Sequence, residues 1–430
     1  LRARLAPERI AELEQRLAGM DFAPLAQVAA AGYPISYDPA TISLSIDIPA
    51  ASRTTTTIQL SGLDRAPRGD FAPPAAFSAY LNIRSFADYA WDGPERGLTS
   101  PSALLDSAVR VRGFVLENEA SVRSGGLGRK FVREGTRLVL DDRDRLIRWT
   151  AGDLRPVGRG FAGSPQMAGF SAQRIYSIVD PLRLVQPTGD RSFTLSRSAT
   201  VEAVINGQQI RRLRLQPGVY NIRDLPFVQG TNDVQFIIED DAGGREVIRF
   251  TEFFERTLLA PGLTEFAVHA GVLAPFDGGA RNYQFGEPAA SGWARRGINS
   301  HVTLGGNFNV RKSGAVAGAE AVLATSFGTL GVDAAFSIND VVGNGMAINI
   351  GLQRSFGSLS GRAKSVSASA EYRSANFSNP GALIVDNRFS WIGSVAYSQS
   401  IGERQYVALS GTYLLGRGAN ANEQSARLTY

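Results

Sequence analysis

The sequence predicts an all-β chain: a partial antiparallel transmembrane β-barrel interrupted by an inserted six-stranded β-sandwich. Three observations carry this. Late in the chain, strand-length segments alternate apolar residues with Ser, Asn, Thr and Gly. Aromatic residues recur near the ends of those segments, as an interfacial girdle requires. Between Gln186 and Phe254 the rhythm changes to shorter strands split by tight turn signals.

Bulk composition agrees. At 430 residues the chain exceeds one ordinary core. Gly at 46 with Tyr 12, Phe 23 and Trp 4 suits short strands and turns. Hydrophobic residues make up 43%, yet no run approaches the roughly 20 apolar residues of a spanning helix. The absence of Cys excludes thiol chemistry and Cys-ligated metal. The net charge of +5 comes from Lys and Arg scattered through strand-like segments, so no nucleic-acid footprint is expected. The chain opens at Leu1 without a charged and then apolar leader and stops at Tyr430 inside a strand-like run, so a fragment is expected at both ends.

Taken in order, residues 7–31 carry a helical pattern, with Ile10, Leu13, Leu17 and Met20 at three- and four-residue steps. After a turn at Asp38-Pro39, Ile42, Leu44, Ile46 and Ile48 alternate with Ser and Asp, a strand closing an N-terminal unit over 1–60. Residues 61–76, with Pro67, Gly69, Pro73 and Pro74, read as a linker. Wall strands are expected over 77–185 and again over 255–430. In the clearest, Val302, Leu304, Gly306, Phe308 and Val310 oppose His301, Thr303, Gly305, Asn307 and Asn309. About twelve to fourteen candidate strands are visible, too few to close a wide pore.

In the interruption, strands are expected at 192–195, 201–205, 209–215, 219–225, 234–239 and 246–250. Asn206-Gly207 suits a type I′ hairpin, because both central residues must tolerate positive φ. Asp240-Asp241 and the group Asp141, Asp142 and Asp144 read as polar hairpin tips and not as cation loops. His269 and His301 sit in strand patterns with no adjacent acid or nucleophile, and no P-loop or metal-ligand spacing occurs. No enzyme, cofactor or metal is expected.

The run from Ala151 to Arg174, with Gly152-Asp153, a Gly-rich hairpin and Gly169-Phe170, resembles the segment that precedes the plug in outer-membrane fimbrial ushers of the chaperone–usher pilus pathway. Val185 to Phe193, Thr200 to Gly207, Leu215 to Leu225 and Gly230 to Asp240 resemble the usher plug in order, and Tyr37 to Pro49 is similar to the end of the periplasmic N-terminal domain. The resemblance implies an assembly platform and gated channel, working without nucleotide, that translocates pilus subunits delivered by a periplasmic chaperone. Its implied partners are chaperone–subunit complexes, pilus subunits and outer-membrane lipid, and a homodimer is compatible with it. Residues 186–254 become the plug of a channel in the bacterial outer membrane.

A plug must be released at modest cost, which suits water-bathed ion pairs worth about 0 to 1 kcal/mol each. The expected holding residues are Asp153, Arg155, Arg159 and Arg174 on the wall, with Asp190, Arg211, Arg212, Arg214, Arg223 and Asp224 on the plug. Arg212 and Arg214 equally suit the wet face of a strand whose Leu213 and Leu215 fill a core. Pro187, Gly189, Pro261 and Gly262 suit hinges. Two other readings are a porin-like or plugged uptake channel without pilus assembly, and a soluble multi-domain β adhesin.

Overall fold

The computed structural model describes residues 5–16, 25–49, 52–60, 74–93, 96–98, 101–123, 131–181, 183–187, 191–205, 207–223, 225, 230–254, 257–277, 280–356, 364–400 and 406–430. They form two compact units. One holds the N-terminal residues and the 191–254 insertion, and the other holds the wall strands.

The wall is a 16-stranded antiparallel sheet in which neighbours in sequence are neighbours in space. Its strands are β1 (Phe77–Phe86), β2 (Ser102–Val111), β3 (Phe114–Arg123), β4 (Phe131–Asp142), β5 (Ile147–Asp153), β6 (Met167–Arg174), β7 (Thr264–Leu273) and β8 (Gln284–Asn299). They continue as β9 (Val302–Arg311), β10 (Gly314–Thr325), β11 (Gly328–Asn339), β12 (Gly345–Phe356), β13 (Lys364–Arg373), β14 (Phe389–Ser400), β15 (Tyr406–Gly416) and β16 (Glu423–Thr429). The sheet thus holds more strands than the twelve to fourteen visible in the sequence. Among the described residues β1 and β16 each pair on one side only.

Burial in the wall is inverted relative to a soluble sandwich. On β9, Thr303 is 0% exposed and Asn309 1%, whereas Leu304 and Val310 on the other face are 46% and 45% exposed. On β11, Ser337 and Asn339 are buried and Phe336 and Ile338 exposed. Since strand side chains alternate faces, one face is polar and covered and the other apolar and open, the pattern of a lipid-facing wall. The long connections 87–101, 154–166, 274–283 and 374–388 fall at one end of the strands. The short turns 112–113, 143–146, 300–301 and 326–327 fall at the other, where the insertion also leaves the wall. His301 lies in one of these turns, hydrogen-bonded through Nδ1 to Ser300 Oγ, and not within a strand.

In the other unit the insertion supplies six strands, in two sheets. Gln208–Leu215, Ala199–Ile205, Gly230–Asp240 and Arg245–Phe254 form the four-stranded one. Arg191–Leu195 and Gly218–Arg223 form the other, completed by Thr56–Gln59, which pairs parallel to Gly218–Arg223. Ala199, Val201, Ala203 and Ile205 alternate inward and meet Val234, Phe236, Ile222 and Phe193 in one core, to which Leu60 and Ile58 also contribute. The N-terminal residues and the insertion, read in the sequence as separate, therefore share a sheet and a core. Most of the 61–76 linker lies outside the described residues.

The helical pattern over 7–31 forms two short helices, Pro7–Arg16 and Leu25–Ala30, with Leu17 and Met20 outside the described residues. Ile10 and Leu13 pack beside Leu5, Val28 and Tyr33. At the Asp38 turn the carboxylate accepts from Ala40 N and Thr41 Oγ1. At the later acidic turn Asp240 Oδ1 accepts from Ala242 N and Gly244 N, so both are turn-making carboxylates. Gly207 has φ +81°, as a type I′ position needs, while Asn206 lies outside the described residues.

Candidate functional site

On the covered face of the wall, the loop 154–166 between β5 and β6 crosses to β9, β10 and β11. Its root is Asp153. That carboxylate, 3% exposed, accepts from Arg133 Nη1 at 2.7 Å, Thr136 N at 2.8 Å and Tyr283 Oη at 2.7 Å. Arg281 approaches it at 3.8 Å. A buried carboxylate so engaged is a structural post for the loop. Gly152 before it has φ +118°, and a Cβ there would lie 2.5 Å from Thr136 O, so only glycine fits.

From the post outward, Arg155 pairs with Glu119, which Arg137 also holds at 2.9 Å. Arg159 Nε donates to Glu320 Oε2 at 3.1 Å, and its guanidinium stands 5.2 Å from the Trp293 ring centre. Trp293 Nε1 donates to Val157 O at 2.8 Å and Asn309 Nδ2 to Ala162 O at 2.9 Å. Phe161 packs edge-on against Phe377 of the 374–388 connection. A Cβ on Gly160 would fall 2.7 Å from Asn307 Nδ2, so the loop lies too close to β9 for a larger residue. Arg159, Glu320, Asp333, Thr329, Gln353 and Thr257 help to line a cavity of about 360 Å³ beside the loop.

The predicted wall residues therefore divide. Asp153, Arg155 and Arg159 belong to the loop, whereas Arg174 sits at the far end of β6, where it donates to Arg145 O and covers Phe266. In the insertion, Arg211, Arg212 and Arg214 are exposed on Gln208–Leu215. Arg212 stands across from Glu202, and Arg214 pairs with Asp241 within its own unit. Arg223 ends a strand, and Asp190 and Asp224 lie outside the described residues.

Of the expected hinges, Gly189 lies outside the described residues and Pro187 follows the Tyr176–Val179 helix. Pro261 and Gly262 form a turn pinned to the wall: Ala260 N donates to Val185 O at 2.7 Å and Gly262 N to Gly297 O at 2.9 Å. The positive φ of Gly262 (+81°) serves that turn. Sequence reasoning missed Glu119, Trp293, Asn309, Glu320, Glu265 and Arg295. Their one signal is that they occupy the small-polar phase of their strands.

No protein-family model matches the sequence, and no curated protein does. Among solved structures, a chain of the Escherichia coli P pilus tip assembly intermediate PapC–PapD–PapK–PapG is similar, with TM-score 0.55 at 15% identity. The match covers 95% of this chain and 50% of that one, so this chain spans half the length of the matched protein. The P pilus usher (PapC) translocation pore matches with TM-score 0.42 at 15% identity, over 81% of this chain and 73% of that one. A 16-stranded antiparallel wall interrupted after its sixth strand is thus similar in fold to the pilus usher, the family that the residues themselves resemble.

Proposed function

We propose that this chain is the gate and part of the frame of an outer-membrane usher, which passes pilus subunits delivered by a periplasmic chaperone through its lumen and assembles them. The observation that carries this reading is the compact β-sandwich joined through two necks between adjacent wall strands β6 and β7. A wall with an apolar outer face and a polar covered face suits a pore in lipid. A pore wide enough for folded subunits needs a removable block. The insertion 186–254 is that plug, and the loop 154–166, held by Arg159–Glu320 and rooted at Asp153, belongs to the frame. Arg214, committed to Asp241, contributes to the plug's own stability.

Planar-bilayer conductance of the full-length parent, with and without residues 186–254, tests the gate. Higher steady conductance after deletion is expected, and unchanged conductance would overturn it. Binding of purified chaperone–subunit complex by the parent separates an usher from a porin-like channel, which would conduct after deletion but bind no such complex.

A further inference from the structure

The two necks of the insertion meet at one ion pair. Glu265 and Arg295 are register partners on β7 and β8, with side chains 8% and 11% exposed. Arg295 Nε and Nη2 donate to Glu265 Oε2 at 3.0 and 2.8 Å. Each partner's remaining capacity goes to a different neck. Glu265 Oε1 accepts from the backbone N–H of Tyr176, the first residue of the one-turn helix on the incoming neck, at 3.2 Å. Arg295 Nη1 donates to Thr257 O on the outgoing neck at 2.9 Å. The planar guanidinium fork is what lets one side chain serve both a carboxylate and a backbone carbonyl, and a lysine ammonium has no such geometry. Use of both carboxylate oxygens and three guanidinium nitrogens makes burial of this pair tolerable.

The surroundings hold the same segments to the wall. Val185 O and Ala260 N join the necks directly. Leu258 and Leu259 are fully buried, and Leu259 N donates to Thr303 Oγ1 at 2.9 Å. Gly297 lies so close that a Cβ there would come within 2.3 Å of the Leu259 and Ala260 carbonyl oxygens. Yet among these contacts only the Glu265–Arg295 pair reaches Tyr176 on one neck and Thr257 on the other.

We infer that Glu265 and Arg295 form a clasp that keeps both necks on the wall while the insertion moves. They are positioning residues, and the inference rests on the gate reading above. Losing the clasp frees both necks, loosens the seat of the insertion and lets the pore open spontaneously.

The test uses the full-length parent in planar bilayers, with Glu265→Gln, Arg295→Gln and a cross-link between Val185→Cys and Ala260→Cys. This chain has no cysteine of its own. Each single variant is expected to raise open-state occupancy about tenfold, as breaking a buried pair leaves one charge uncompensated. The oxidised cross-link should return Arg295→Gln toward wild-type occupancy and leave subunit translocation by the otherwise wild-type protein unchanged. Wild-type occupancy in single variants that insert as folded barrels, or a block of translocation by the cross-link, overturns the inference. If the single variants do not insert, the cross-link in the wild-type background decides alone. Deleting 186–254 in parallel separates the two ideas. Unchanged conductance there overturns the gate reading, whereas a rise there with unchanged single variants overturns the clasp alone.

Discussion

Gly152 shows how a backbone position can matter more than a side chain. Its positive φ aims Asp153 back into the wall, where Arg133, Thr136 and Tyr283 hold it. Gly152→Ala is expected to destabilise the folded wall by about 1–3 kcal/mol through strain and overlap with Thr136 O. Heat-modifiable migration of the barrel reads this, and a variant as resistant to heating as the wild type would refute the strained-post account. Asp153, Arg155 and Arg159 could be picked from the sequence because they lie in one Gly-rich run. Glu320 could not, for it stands 161 residues from Arg159 and reaches it only through the register of five intervening strand pairings. Residue type marks a candidate, but sheet order chooses its partner.

At the scale of the element, alternation was informative because strand side chains have a period of two. The short strands of the insertion and long strands such as β9 were readable for that reason. Thr56–Gln59 was not. Four residues with a run of threonines carry almost no alternation, and the parallel partner Gly218–Arg223 lies far along the chain. Its contribution is testable, since Ile58 packs against the core built around Phe236 and Ile222. Ile58→Asp places an unpaired carboxylate there and is expected to cost about 2–4 kcal/mol. Limited proteolysis of the full protein should then cut the insertion at lower protease doses, and unchanged resistance would show that the strand is dispensable. The turn at Pro261-Gly262 teaches the converse. Residue types that suit a hinge also suit a turn, and here the hydrogen bonds of Ala260 and Gly262 show the turn, which residue type alone did not predict.

For the whole molecule, the fold class was accessible because a lipid-facing sheet reverses the usual assignment of polar and apolar faces. The size of the sheet was less so, since turns of two residues leave weak punctuation between strands. The reversal makes a sharp prediction. Leu304→Arg puts a charge on the apolar face of β9 and should cost about 2–4 kcal/mol of folding stability in lipid vesicles near mid-membrane, less toward either interface. Equilibrium refolding into vesicles measures it. A soluble adhesin would gain solubility from the same change and lose no stability.

The hydrogen bond between Val185 O and Ala260 N has one more consequence. The chain leaves the wall and returns to it at neighbouring points, so β6 and β7 pair as though joined by an ordinary short connection. The wall's register is therefore indifferent to whatever is spliced between the necks. A domain carried this way is a cassette: its length, sequence and fold can diverge or be exchanged without re-registering a single wall strand, provided that its two ends can be brought together.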